Sequence, residues 1–143
     1  MTDISRTWTC GDASPTPEAR HAHELAVEQL TRNIELVRAG ATFHELCHRA
    51  WFPPEDEYRH YSCLFHGVGQ CDEYPSIVFP SAWEASGYDG VLEPGMVLTV
   101  EAYVGARSGG HGVKLEDQVL VTEDGCEILS SWTLDLDRFE PLA

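Results

Sequence analysis

The stretch Met96-Val97-Leu98-Thr99-Val100-Glu101-Ala102-Tyr103-Val104 decides the fold, together with Gly112-Val113-Lys114-Leu115-Glu116-Asp117-Gln118-Val119-Leu120-Val121-Thr122 beyond a Gly-rich turn. Both runs are rich in β-formers and bounded by glycine, which predicts two strands. Each carries a carboxylate in its middle, Glu101 and Glu116. An acid inside an apolar strand is costly unless it is paired or metal-bound. Antiparallel pairing brings the two carboxylates to one face of a sheet. A single such acid reads as an exposed position on an edge strand; the same anomaly in two adjacent strands weakens that reading. A third stretch, His66-Gly67-Val68-Gly69, sets a histidine among glycines that let the backbone approach a metal or substrate closely. One histidine with two carboxylates gives mixed nitrogen and oxygen ligation. That suits a divalent zinc, manganese, iron or cobalt ion better than calcium.

Outward from these runs, residues 3–10 alternate and carry Ile4, Thr7, Trp8 and Thr9, which predicts a strand. Thr16-Pro17-Glu18 combines an N-cap, a proline at the first helical position and an acid in the first turn. Val27, Leu30, Ile34 and Val37 follow at helical spacing, and Gly40 is the expected stop. Thr42 caps a second helix expected to run to about Trp51, before Pro53-Pro54. A polar connector over 55–60 and a short strand over 61–65 lead into the glycines. Residues 74–90 read as an ordered loop. Glu93-Pro94-Gly95 is a turn, and Glu123-Asp124-Gly125 a hairpin turn into a last strand over 126–129. The chain reads as α+β, with an irregular tail.

The length, 143 residues, suits one domain, and 43% hydrophobic content is enough for a core. The net charge of −15, from 24 acidic and 9 basic residues, argues against nucleic acid and against an anionic membrane surface. The chain has five cysteines, no CxxC pair, no basic-then-apolar leader and no membrane-length apolar run. Free thiols in a reducing cytoplasm are the simplest expectation.

A rival metal motif is present. His44-Glu45-Leu46-Cys47-His48 matches HExxH, in which two histidines share a helix face and the glutamate acts as base. Here it opens a short helix, has no third ligand at the extended-motif spacing, and is better read as an exposed amphipathic turn. Asp72 and Glu73, close after the glycine turn, can act as acid or base beside a metal or simply cap the loop. Tyr74, Trp83 and Tyr88 read as core more readily than as pocket lining.

Together the quoted motifs resemble the pita-bread metal enzymes: methionine aminopeptidase, prolidase, aminopeptidase P and creatinase. The strongest matches are His66-Gly67-Val68-Gly69, Leu92-Glu93-Pro94-Gly95-Met96, Thr99-Val100-Glu101 and Leu115-Glu116-Asp117. The resemblance implies an incomplete pita-bread fold over 1–143, an antiparallel curved sheet with helices packed on one face, lacking its upstream part and any N-terminal domain. It implies the metal ligands Asp3, His66, Glu101 and Glu116, with Asp3 and Glu116 bridging two ions. A further Asp of the family set is expected upstream of this chain. The family pattern also has a second His after the glycine turn, where this chain reads Gln70-Cys71-Asp72-Glu73-Tyr74-Pro75. That variant resembles the branch holding Xaa-Pro peptidase-like proteins and a metal-dependent dimethylsulfoniopropionate lyase. The leading expectation is a divalent-metal hydrolase of N-terminal peptide bonds, with metal-bound hydroxide attacking and Asp72 or Glu73 moving protons. The alternatives are β-elimination with Asp72 as base, and a non-catalytic remnant. A small-molecule or short-peptide substrate and a homodimer are the partners the resemblance implies.

Overall fold

Alternation along the two long strands sorts the chain into an apolar and a polar face. The computed structural model describes residues 2–11, 14–69 and 73–136. In order these form α1 (Pro17–Ile34), α2 (Phe43–Arg49), β1 (Tyr58–Arg59), β2 (Phe65–Gly67), β3 (Ser76–Ile77), a 3-10 turn (Pro80–Ala82), α3 (Trp83–Ser86), β4 (Val97–Ala106), β5 (Gly112–Val121) and β6 (Cys126–Ile128). The sheet is antiparallel, in the order β3-β2-β4-β5-β6, and β1 also pairs with β4. Leu98, Val100, Ala102 and Val104 of β4 and Val113, Leu115, Val119 and Val121 of β5 share one core with Ala26 and Leu30 of α1. Each fully buried aliphatic side chain contributes about 1.5–3 kcal/mol. The opposite face of the same strands carries His66, Thr99, Glu101, Lys114 and Glu116, because β2, β4 and β5 pair in that register.

The predicted caps form: the Thr16 and Thr42 hydroxyls accept from Ala19 N and Glu45 N at 3.2 and 3.0 Å. Each such cap stabilises its helix by about 1 kcal/mol. Several boundaries differ from the expected ones, those of the two helices for a tertiary reason. Helix α1 ends at Ile34 rather than at Gly40, because Ala39 N and Gly40 N donate to Thr122 O and Leu92 O instead. Helix α2 stops at Arg49, where Trp51 N turns to the Asn33 side chain at 2.8 Å. The strand expected over 61–65 is shifted to Phe65–Gly67. The loop over 74–90 contains β3, the 3-10 turn and α3.

Residues 3–10, expected as a strand, form none; their one backbone bridge is Ser5 to Glu116. Past Ser5, side chains replace the ladder. Thr7 Oγ1 donates to Lys114 O and accepts from Lys114 N, at 2.9 and 3.0 Å. Arg6 reaches Ser5 O, Glu116 O, Asp117 Oδ1, Trp132 O and Thr133 O. One guanidinium thereby ties the start of the chain, β5 and the segment after β6 together. No helix among the described residues is long and apolar enough to cross a membrane.

Gly67 ends β2 at a close backbone approach: a Cβ there would sit 1.8 Å from Tyr74 O. Gly67→Ala must push that loop away, and overpacking of this kind costs about 1–3 kcal/mol. Urea unfolding of the variant should show a loss in that range, whereas an unchanged midpoint would contradict the close approach.

Candidate metal centre

The polar face gathers its titratable groups at one place. Glu101 and Glu116 are direct cross-strand partners in the β4–β5 ladder and both are about 1% exposed. Two carboxylates so placed repel each other, and burial removes the water that would screen them. Three donors answer them. His66, brought alongside by its pairing with Thr99, places Nε2 3.3 Å from Glu101 Oε1 and 3.5 Å from Glu116 Oε1. Lys114 places Nζ 2.8 Å from Glu101 Oε2 and 3.4 Å from Glu116 Oε2. Ser5 Oγ donates to Glu116 Oε2 at 2.7 Å. Asp3 stands two residues before Ser5, with Oδ2 3.8 Å from His66 Nε2. Gln29 of α1 donates to Glu101 O at 3.3 Å and fixes β4 from the helix side.

The protonation states follow from these contacts. Hydrogen bonds to Glu101 and then Glu116 push His66 up to about 11. Burial alone would raise Glu116, but His66, Ser5 and Lys114 together bring it down to about 2. Burial dominates for Glu101, whose carboxyl is raised despite His66 and Lys114. Asp3 is raised by burial and by the charge of Glu116.

The four predicted ligands therefore lie together. Ligand atoms of Asp3, His66 and Glu116 all fall within 4.8 Å of one another, with Glu101 beside them on His66. Three oxygens on this face, of Thr99 (Oγ1), Glu101 (Oε2) and Glu116 (Oε1), are buried without a hydrogen-bond partner. Glu101 Oε2 has only the ammonium of Lys114 at ion-pair distance. Buried carboxylate oxygens left in this state, facing a histidine nitrogen, fit a divalent cation with mixed nitrogen and oxygen ligation. Among the described residues, Asp3, His66 and Glu116 form the one group of three or more such side chains.

The HExxH stretch is elsewhere and is otherwise engaged. The rings of His44 and His48 stack at 4.0 Å and both meet Trp83 edge-on. Glu45 is paired with Arg49 at 2.5 Å and Arg38 at 3.7 Å, so it is not poised as a base. Asp72 lies outside the described residues. Glu73 is described, with a positive φ of 61°, and its charge is the smallest of the influences that raise Asp3 and Cys63. Tyr74 and Tyr88 are corrected from the expected core: they are exposed and stack on each other, centroids 5.9 Å apart. Sequence reasoning did not single out Ser5, Arg6, Gln29 or Lys114. A signal was available for Lys114, which shares a strand face with Glu116 at i, i+2. Beside the centre opens a pocket of about 550 Å³ lined by Ile4, Ser5, Arg6, Trp8, Lys114 and Trp132.

The sequence pattern of metallopeptidase family M24 matches residues 1–123. The chain belongs to metallopeptidase family M24. Among its relatives, the dimethylsulfoniopropionate lyase DddP of Roseovarius nubinhibens is 46% identical over 134 residues, which is 93% of this chain and 30% of that protein. The Xaa-Pro dipeptidase of Pyrococcus furiosus is 36% identical over 139 residues, 94% of this chain and 37% of that one. The crystal structure of the X-Pro aminopeptidase of Thermotoga maritima superposes with a TM-score of 0.77 at 29% identity, over 95% of this chain and 37% of that one. The fold is thus an incomplete pita-bread fold, and the chain spans about a third of the length of these M24 relatives.

Two outcomes follow for the isolated M24 chain. His66→Ala and Glu116→Ala should each abolish near-stoichiometric metal in purified protein by mass spectrometry, and His44→Ala should not; the reverse pattern would move the centre to α2. The metal-free protein should lose stability at both pH extremes. The Glu116 contribution is complete above the ordinary 4.5 and is lost as pH falls toward about 2. The His66 contribution is complete below 6.5 and is lost as pH rises toward about 11. Urea midpoints measured in chelator across pH would show two limbs, and His66→Ala should flatten the alkaline one.

Proposed function

We propose that this chain carries the metal-binding part of a β-eliminating enzyme acting on a small carboxylate that bears a sulfonium group, as in dimethylsulfoniopropionate. The observation that carries the reading is the rank of its relatives: a lyase at 46% identity stands well above an Xaa-Pro dipeptidase at 36%. The sequence Gln70-Cys71-Asp72-Glu73 supports it, because it offers carboxylates where the peptidase pattern has a histidine. The pocket supports it too. Trp8 and Trp132 meet edge-to-face at 6.1 Å in its wall, and aromatic faces attract a desolvated cation.

Asp3, His66, Glu101 and Glu116 are the residues that would hold a divalent ion. Bound there, the ion would supply Lewis acidity toward the substrate carboxylate and make the proton next to it easier to remove. Asp72 is the base in this reading. It takes the proton alpha to the carboxylate, the carbon–carbon double bond forms, and the carbon–sulfur pair leaves with sulfur. The products are acrylate and dimethyl sulfide. Glu73, whose charge reaches Asp3, keeps the loop side of the centre negative. The indoles hold the sulfonium end and exclude water from it.

A second reading, hydrolysis of Xaa-Pro peptides, is favoured by the family match and by the aminopeptidase fold likeness. In it the same four residues would hold the ion, and a carboxylate beside them would shuttle the proton of the attacking water. The two separate cleanly in one experiment. Manganese-loaded chain is incubated with dimethylsulfoniopropionate and, in parallel, with an Xaa-Pro dipeptide. Dimethyl sulfide in the headspace, lost by at least about a hundredfold in Asp72→Ala, is the expected result, since removing a general base costs about 10²–10⁴. Proline release without dimethyl sulfide would establish the second reading, and turnover of neither would sink both for this chain.

A further inference from the structure

Lys114 is the only lysine in a chain with 24 acidic residues. It is spent on the two buried glutamates. It lies two positions before Glu116 on β5 and diagonal to Glu101 on β4, so all three share a sheet face. Its Nζ sits 2.9 Å from Glu101 Oε1, 2.8 Å from Glu101 Oε2 and 3.4 Å from Glu116 Oε2. The same ammonium lies 3.9 Å from the centroid of the Tyr61 ring. Glu101 Oε1 is also the atom nearest His66 Nε2, at 3.3 Å. That oxygen is therefore shared between the lysine and the ligand face.

We infer that Lys114 is the displaceable counter-ion of the Glu101–Glu116 pair, and that a divalent cation enters the centre by exchange with its ammonium. The inference rests on the metal-centre reading above and says how that centre fills. A divalent ion drawing on Glu101 and Glu116 takes over the neutralising role of the ammonium, and the two cations repel each other at contact distance. The lysine has somewhere to go. Its side chain is 27% exposed, Tyr61 beside it is 43% exposed, and it lines the open pocket with Ile4 and Trp8. A flexible, strongly hydrated ammonium leaves such a site more readily than a planar guanidinium held by several fixed bonds. Arg6, the other cation at the pocket, illustrates the contrast: its nitrogens are bound to four carbonyls and a carboxylate.

Because the chain has one lysine, the exchange can be read directly. Limited amine acetylation followed by peptide mass spectrometry reports Lys114, with the α-amino group as internal reference. Saturating Mn²⁺ should raise Lys114 acetylation at least tenfold over the chelated protein. In calorimetry, Lys114→Gln, which keeps part of the stem and a hydrogen-bond donor but no charge, should bind Mn²⁺ at least tenfold more tightly than the parent. Parent protein that binds Mn²⁺ with no gain in Lys114 acetylation would overturn the exchange while leaving the metal centre standing. Mn²⁺ uptake by neither protein would overturn both. If Lys114→Gln does not fold, the acetylation of the parent decides alone.

Discussion

Two like charges set directly opposite each other in the β4–β5 ladder are the constraint around which this molecule is organised. Glu101 and Glu116 are buried, and a buried pair of carboxylates is tolerable only where cations and donors surround it. The structure meets that need from three separate parts of the chain: His66 from β2, Lys114 from β5 itself, and Ser5 from the segment that precedes α1. Even so, one oxygen of each carboxylate lacks a hydrogen bond. A site that serves only stability is better built by replacing such a pair with apolar groups. Retaining the pair at this cost fits the family's dependence on a divalent cation.

Support for the centre comes from the other face of β5. Asp117 and Arg6 point away from the glutamates, and Arg6 binds the carbonyls of Ser5 and Glu116 that flank the site. The guanidinium also holds Trp132 O, so the indole wall of the neighbouring pocket is set by the same group that sets Ser5. Geometry at the carboxylates and shape in the pocket are thus coupled through one side chain.

Much of this was legible in the sequence. The two long strands and the meeting of Glu101 and Glu116 on one face followed from acids interrupting apolar runs, and motif resemblance named Asp3 and His66 as the residues to look for beside them. The caps at Thr16 and Thr42 were readable because a cap is a local interaction. What was not legible was set by distant contacts. Alternation over residues 3–10 signalled a strand, but Arg6 and Thr7 use side chains where a strand would use its backbone. Helical spacing through Val37 overran the end of α1, because the chain is drawn off toward β5 and the 92–95 turn, where Thr122 O and Leu92 O take the amides of Ala39 and Gly40. HExxH was literal in sequence and empty of its chemistry in space, because Glu45 faces two arginines.

The placement of Lys114 also bears on how the chain reaches this arrangement. It lies 13 residues from Glu101, whereas His66 is 35 residues from Glu101 and Ser5 is 111 from Glu116. The entropy lost in closing a loop grows with its length. Of the groups that relieve the buried repulsion, the lysine is the one within the hairpin itself. The β4–β5 hairpin therefore brings its own neutralising charge as it zips, and its closure does not wait for contacts from the distant ends of the chain.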